Sequence, residues 1–232
     1  MSLVFIGLSG PSSCGKTTLA YLLKHIFPNT LFVLHADDFC KEFEDVPTVN
    51  GYLDCDGPDA IDYERMAQVL DHMKLHGGVP PLDFKSWQEE VFPGQEEKAL
   101  STVPSTLVAQ LREHVQRSGV HDQATPLIIV DGFLLYQNPI IRARLRKEAF
   151  RQGYGIEAKS DEFWKTEDYF EKMVWRSYCE QHRFMVQDGN VEGDTNEEVC
   201  KEVGIFVKPG LDRPVDQCLT WTVEQIIQSL GN

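Results

Sequence analysis

Leu3-Val4-Phe5-Ile6-Gly7-Leu8-Ser9-Gly10-Pro11-Ser12-Ser13-Cys14-Gly15-Lys16-Thr17-Thr18-Leu19-Ala20 is the stretch whose reading decides the fold. Leu3 to Leu8 is an apolar run of the length of a buried parallel strand. It is too short for a secretory or membrane segment and runs straight into glycine and serine. Gly10 to Thr17 fits the pattern G-x-x-x-x-G-K-[ST]. From Thr17 to Phe27 the apolar residues Leu19, Leu22, Leu23 and Ile26 recur at helical spacing, and Pro28-Asn29 stops the run. Strand, glycine-bounded loop and helix, in that order, make a phosphate cradle. The glycines let the backbone curl so that successive N–H groups point inward, and the helix N-terminus adds a favourable dipole. Gly10, Ser12, Ser13, Cys14, Gly15, Lys16, Thr17 and Thr18 are thus the candidate nucleotide-binding residues. The pattern assigns Lys16 to the β- and γ-phosphates of ATP and the Thr17 hydroxyl to Mg2+.

Downstream, the pattern alternates. Leu31 to Leu34 reads as a second buried strand, ending at His35-Ala36-Asp37-Asp38. Ala60 to Leu75 reads as an amphipathic helix after Pro58-Asp59, and Asn50-Gly51 as a turn. Residues 80–103 are rich in Pro, Glu and Gln with little periodicity, which predicts a mobile surface insertion. Leu107 to Val115 reads as a helix, and Leu127-Ile128-Ile129-Val130-Asp131-Gly132 is the strongest strand in the chain. Ile140 to Phe150 reads as a basic helical stretch and Asp168 to Phe184 as a further helix. Gly204 to Lys208 reads as a late strand and Val215 to Leu230 as a closing helix. Strands alternating with helices predict a parallel sheet covered on both faces. There are no internal repeats.

The 232 residues suit one domain, or one domain with a small lid, and 42% hydrophobic against 25% charged residues suits a packed core. A net charge of −14 argues against nucleic acid and anionic lipid as partners, while a small phosphorylated ligand can still be held by local dipoles. The six cysteines form no C-x-x-C pair, which argues against zinc and for reduced thiols in a cytoplasmic, and also nuclear, setting. The seven histidines lack metal-ligand spacing and read as structural or surface groups.

Three sets of acids stand out. Asp131 ends an apolar strand, where an acid beside the phosphate loop would serve a magnesium site. Asp37 and Asp38 follow the second strand, on the side where open α/β sheets bind ligands, and one of them could take a proton from an attacking hydroxyl. From composition alone they serve equally well as an N-cap or turn pair. Asp54, Asp56 and Asp59 could grip a vicinal diol, or form a solvated loop.

Taken in order, four segments resemble nicotinamide riboside kinases in a fungal-type version, close relatives of uridine kinases. They are Gly7 to Ala20, His35-Ala36-Asp37-Asp38-Phe39-Cys40-Lys41, Asn50-Gly51-Tyr52-Leu53-Asp54-Cys55-Asp56 and Ile128-Ile129-Val130-Asp131-Gly132-Phe133-Leu134-Leu135. The resemblance resumes at Arg151-Gln152-Gly153-Tyr154 and from Phe163 to His182. It implies a P-loop NTPase fold: a three-layer αβα sandwich on a mainly parallel five-stranded sheet with a small lid, here about residues 142–165, in a single domain spanning 1–232. It implies Asp37 as catalytic base, Asp56 on the ribose hydroxyls, Asp131 near magnesium and substrate, Tyr154 beside the base and Arg151 as a lid cation. ATP, Mg2+ and a small-molecule nucleoside are the implied ligands, and the chain is expected as a monomer or homodimer.

Two departures qualify the match. Cys55 stands where the family has a second aromatic residue, and a thiol offers little π surface to a base. Only residues 136–152 separate Leu135 from Gly153, where the family has a helix, a strand and a lid helix. No β-branched strand is legible there, so the sheet is expected to lose an internal strand or the helix to fuse with the lid; Arg146, Lys147 and Arg151 remain as lid cations. Three alternatives stay open: a uridine- or cytidine-type kinase, a catalytically impaired nucleotide-binding remnant, and an ATPase switch.

Overall fold

A computed structural model of the chain describes residues 3–11, 14–120, 126–145, 147–150, 169–208 and 214–231. The chain begins with β1 (Val4–Ser9), every residue of it buried, then α1 (Lys16–Ile26) and β2 (Thr30–His35). A one-turn 3-10 helix, Ala36–Phe39, carries the two acids that follow β2. A small hairpin of β3 (Thr48–Val49) and β4 (Tyr52–Leu53) turns through Asn50 and Gly51, both at positive φ. Then come α2 (Tyr63–Leu75), α3 (Trp87–Val91), α4 (Gln95–Ser101), α5 (Ser105–Arg117) and β5 (Leu127–Gly132). The last part holds α6 (Pro139–Arg142), β6 (Lys147–Phe150), a π-turn at Phe170–Trp175, α7 (Arg176–His182), α8 (Glu197–Val203), β7 (Ile205–Val207) and α9 (Val215–Leu230).

The architecture is mixed α/β. Five strands lie in the order β2-β5-β1-β6-β7, and every pairing among them is parallel. Alternation along the strands divides the core. Val4, Ile6, Leu127 and Ile129 face α1, α5 and α9, while Phe5, Ile128 and Val130 face α2 and the segment around Tyr178 and Met185. Both faces are therefore apolar, which is why the central strands read as continuous hydrophobic runs. Leu22 and Leu23 of α1 are wholly out of water, and truncating either to alanine would cost about 2–5 kcal/mol.

β6 overturns two expectations. Residues 140–150 are not one basic helix, and the sheet does not lack a strand there. After the single turn of α6, Lys147–Phe150 pairs with β1 on one side and β7 on the other. A β6 backbone lying between two strands must satisfy its N–H and C=O groups, and parallel pairing does so whatever the intrinsic preference of its residues. The lead-in is pinned by Arg144, whose guanidinium grips Asp71 of α2 with bonds of 2.8 and 2.7 Å.

The 80–103 segment carries α3 and α4 where the sequence showed little periodicity. Ala99 and Val103 enter the core beside α1, and Glu96 takes Lys24 at 2.9 Å and His25 at 2.7 Å. Among the described residues no helix is long and apolar enough to cross a membrane.

Candidate active site

Because β2, β5 and β1 are adjacent and parallel, their C-terminal ends bring three segments to one edge: the Ala36–Phe39 turn, Asp131-Gly132, and the loop entering α1. In that loop Gly15 precedes α1 at φ 85°, a left-handed conformation open to glycine and strained for other residues. Lys16 folds over the loop, and its Nζ donates to the Pro11 carbonyl at 3.0 Å. Gly10 and Cys14 are buried, and Thr17 and Thr18 lie half-buried on the first turn of α1. Ser12 and Ser13 lie outside the described residues.

Asp131 is almost wholly buried, and both its carboxylate oxygens are engaged. Thr17 Oγ1 donates to Oδ2 at 2.7 Å, and His35 Nδ1 lies 2.6 Å from Oδ1. On its far side His35 Nε2 lies 3.3 Å from the Tyr21 hydroxyl. Burial alone would raise the Asp131 pKa and lower that of His35. The His35 charge and hydrogen bond, with Thr17 and Lys16, outweigh burial and hold Asp131 below the usual carboxylate range. Asp131, Asp38 and Asp37 likewise lift His35 above its ordinary value. Both shifts favour the charged forms, an imidazolium facing a carboxylate.

The structure separates the two acids of the turn. Asp38 is half-buried and accepts from the Gln88 backbone N–H at 3.0 Å, so it caps α3 from outside. Asp37 keeps solvent access at the edge shared with Lys16 and Asp131, while the neighbouring strands and loop crowd its carboxylate. Lost hydration and the Asp131 charge raise its pKa against the opposing pull of Lys16 and His35. One of its oxygens, Oδ2, accepts from Gln88 Nε2 at 3.0 Å.

A second acid reaches the same edge. Half-buried Asp56 accepts from the Tyr169 hydroxyl at 3.2 Å, and the same hydroxyl lies 3.2 Å from the Leu53 carbonyl. Tyr52 meets Tyr169 edge to face, with centroids 6.3 Å apart. Cys40 lies within electrostatic reach of both acids: lost hydration, then Asp37 and Asp56, push its thiol up to about 12. Cys55, next to Asp56, is likewise pushed up by burial and by Asp56, to about 11.

Asp37, Lys16, Thr17, Asp131, Asp56 and Cys55 therefore gather at one end of the sheet. Arg151, Tyr154 and Arg146 fall outside the described residues. Lys147 belongs, through its backbone, to β6. Sequence reasoning missed four groups. His35 was read with the scattered histidines, although it ends a strand one residue before the acid turn. Tyr21 was not among the residues of α1 singled out from the sequence. Gln88 sits in a segment without periodicity, and Tyr169 lies far along the chain from Asp56. The donor set suits a magnesium nucleotide: the hydroxyl of Thr17 and the carboxylate of Asp131 are hard oxygen ligands meeting beside a lysine.

The chain is similar over almost its whole length to curated fungal proteins. It is 26% identical over 243 aligned positions to nicotinamide riboside kinase of Saccharomyces cerevisiae, covering 97% of this chain and 96% of that one. It is 26% identical over 245 positions to the Schizosaccharomyces pombe enzyme of the same name, covering 98% and 97%. Human nicotinamide riboside kinase 1 is 27% identical over 195 positions, covering 81% and 80%. No family model matches the chain. A solved Thermus thermophilus structure aligns with 99% of each chain at 15% identity and a TM-score of 0.34, too low to bear on the fold. Site and relatives together support a phosphotransferase of the nucleoside kinase class. Within that class, the resemblance to nicotinamide riboside kinases holds for fungal and mammalian relatives alike.

Proposed function

We propose that the chain has a P-loop NTPase fold and transfers the γ-phosphoryl group of ATP to the 5′-hydroxyl of nicotinamide riboside, giving nicotinamide mononucleotide. The observation that carries this reading is the convergence of Lys16, the Thr17–Asp131 pair and Asp37 at one edge of the sheet. A phosphoryl donor and an alcohol acceptor need those groups side by side.

In this reading Lys16 leaves the Pro11 carbonyl for the phosphates, joined by the backbone N–H groups of the loop from Gly10 to Thr17. Thr17 and Asp131 would hold Mg2+, which when bound neutralises charge on the phosphate oxygens. Asp37 takes the proton of the 5′-hydroxyl as that oxygen bonds to the γ-phosphorus and the bond to the bridging oxygen breaks. A pKa raised toward the working pH makes Asp37 the better proton acceptor. Asp56 accepts from the ribose hydroxyls, oriented by Tyr169. Half-buried Tyr52, held edge to face by the buried Tyr169, supplies aromatic surface for a cationic pyridinium ring where Cys55 cannot. Arg151 and Tyr154 keep the lid and base roles that the resemblance implies. The enzyme acts as a monomer or homodimer in a reducing cytoplasmic or nuclear compartment.

The deciding experiment incubates the purified chain with magnesium-ATP and a panel of nicotinamide riboside, uridine and cytidine. Nicotinamide mononucleotide as the main product supports the reading. A preference for uridine or cytidine would move the chain to the pyrimidine nucleoside kinases. Tight ATP binding without any phosphorylated nucleoside would mark a remnant.

A further inference from the structure

We infer that Gln88 is a positioning residue of the phosphoryl-transfer site, and that residues 84–91 form a strap that holds the proton-accepting acid ready for the alcohol. The inference rests on the proposed role of Asp37 as base.

One residue of α3 grips both acids of the turn. The Gln88 side-chain amide donates to Asp37 Oδ2 at 3.0 Å, and its backbone N–H donates to Asp38 Oδ1 at 3.0 Å. The two bonds do different things. The backbone bond fixes α3 to the turn, because Asp38 satisfies an N–H at the start of a helix that has no intrahelical partner. Ser86 completes the cap by accepting from the Glu89 N–H at 3.2 Å. The side-chain bond is not needed for that fastening, since Gln88 could point its amide at water without costing the helix anything.

The strap is also seated by packing. Phe84 stacks on Phe39, the last residue of the turn, with centroids 5.7 Å apart, and meets Phe32 of β2 edge-on at 6.3 Å. Anchored at Phe84, Ser86 and Asp38, the segment delivers the Gln88 amide to one oxygen of Asp37 and leaves the other oxygen for an incoming hydroxyl. A carboxylate on a short turn otherwise rotates freely about its χ2 torsion. Fixing one oxygen with a neutral donor holds the rotamer without neutralising the charge, as a cation would. Holding a reacting group in its attack geometry is worth large factors in rate, and a misplacement of 1 Å can cost about a hundredfold. The Asp37 carboxylate is also felt by Asp131, Lys16 and His35 from the neighbouring strands and loop, and by Asp38 beside it. Among the described residues, Gln88 is the one that hydrogen-bonds it directly.

The test compares four variants in nicotinamide riboside turnover with magnesium-ATP. Gln88→Met keeps length and removes both amide donors, and Gln88→Glu keeps shape and puts a carboxylate beside Asp37. Ser86→Ala loosens the α3 cap without touching Asp37, and Asp37→Asn tests the base itself. Gln88→Met is expected to lower kcat about tenfold with the KM for ATP and the melting temperature unchanged. Gln88→Glu is expected to lower kcat further, and Ser86→Ala, which slackens one anchor of the strap but keeps the amide, to lower kcat by less than Gln88→Met. Wild-type kcat in Gln88→Met, or a larger loss in Ser86→Ala than in Gln88→Met, would overturn the positioning role. If Asp37→Asn itself retains turnover, the base assignment fails, and that outcome is distinct from failure of the strap alone.

Discussion

Nδ1 of His35 and Oδ1 of Asp131 lie 2.6 Å apart at directly paired positions of β2 and β5, each almost wholly out of water. The histidine pKa is raised above its ordinary 6.5, so its contribution to stability is complete below that value and is lost as pH climbs through the raised folded value. The Asp131 pKa is depressed below 3.8, so its contribution is present above that value and lost on acidification through the lower folded one. The ion pair therefore stabilises most between the two and weakens on the alkaline side. His35→Gln leaves a buried carboxylate without its cation, which costs about 3–5 kcal/mol near pH 6. Denaturant midpoints of wild type and His35→Gln should converge as pH rises from 6.5 toward alkaline values. A gap that stays constant would show the pair to be neutral.

Asp37→Asn should separate stability from turnover. The folded-state pKa of Asp37 is raised, so the charged form is disfavoured in the folded protein and its stability contribution is lost as pH rises through that pKa. Replacing the carboxylate with an amide removes that disadvantage at neutral pH. The variant should melt no lower than wild type at pH 7.5 and bind ATP normally, yet lose at least a hundredfold in kcat. Single-turnover assays and a melting curve on one preparation check all three. Retained turnover would refute the base assignment.

Tyr169→Phe tests the acceptor side. The hydroxyl bridges Asp56 and the Leu53 carbonyl, tying the last part of the chain to the β3–β4 hairpin. Removing it takes one hydrogen bond from Asp56 but leaves the ring packing in place. We expect the KM for nicotinamide riboside to rise about three- to tenfold, with the KM for ATP unchanged. Tyr169→Ala, which also empties a buried site, should in addition cost about 3–5 kcal/mol of stability. An equal rise in both KM values for the phenylalanine variant would point to a general loosening instead.

What was legible in the sequence was what a short stretch encodes on its own. The apolar runs at Val4–Ser9 and Leu127–Gly132 announce strands buried on both faces, and the strand–loop–helix around Lys16 announces the edge at which the site is built. Val215 to Leu230 was legible for the same reason, its apolar residues recurring at helical spacing. β6 was not legible, because Lys-Glu-Ala-Phe has no β-branched residue and becomes a strand through the partners on either side of it. Nor, apart from the family resemblance that singles out Asp37, could Asp37 be told from Asp38 by its local sequence. Only the folded position of Gln88, some fifty residues later, makes one a helix cap and leaves the other facing the cleft. The Tyr169–Asp56 contact, 113 positions apart in sequence, is of the same kind.

Gly132→Ala should damage the reaction more than the fold. Gly132 ends β5 beside Asp131, and a methyl group there would meet the Ala36 Cβ at 2.6 Å and the Leu135 Cδ2 at 2.8 Å. Leu135 can change rotamer, but the Ala36 methyl has no torsion to yield, so the backbone of the acid turn must move. Overpacking of this kind costs about 1–3 kcal/mol, which a folded domain tolerates. The displaced residue is the immediate neighbour of Asp37, so the displacement shifts the Asp37 carboxylate relative to Lys16 and Thr17. We expect a folded variant with a lowered melting temperature, a KM for ATP near wild type, and kcat down at least tenfold. Gly119→Ala is the control. It sits just past α5 at φ 73° with open space around the would-be Cβ, so it pays backbone strain of about 1 kcal/mol without reaching the acid turn. If Gly132→Ala and Gly119→Ala lose stability alike and both keep full turnover, contact between the end of β5 and the acid turn does not set the geometry of the reaction.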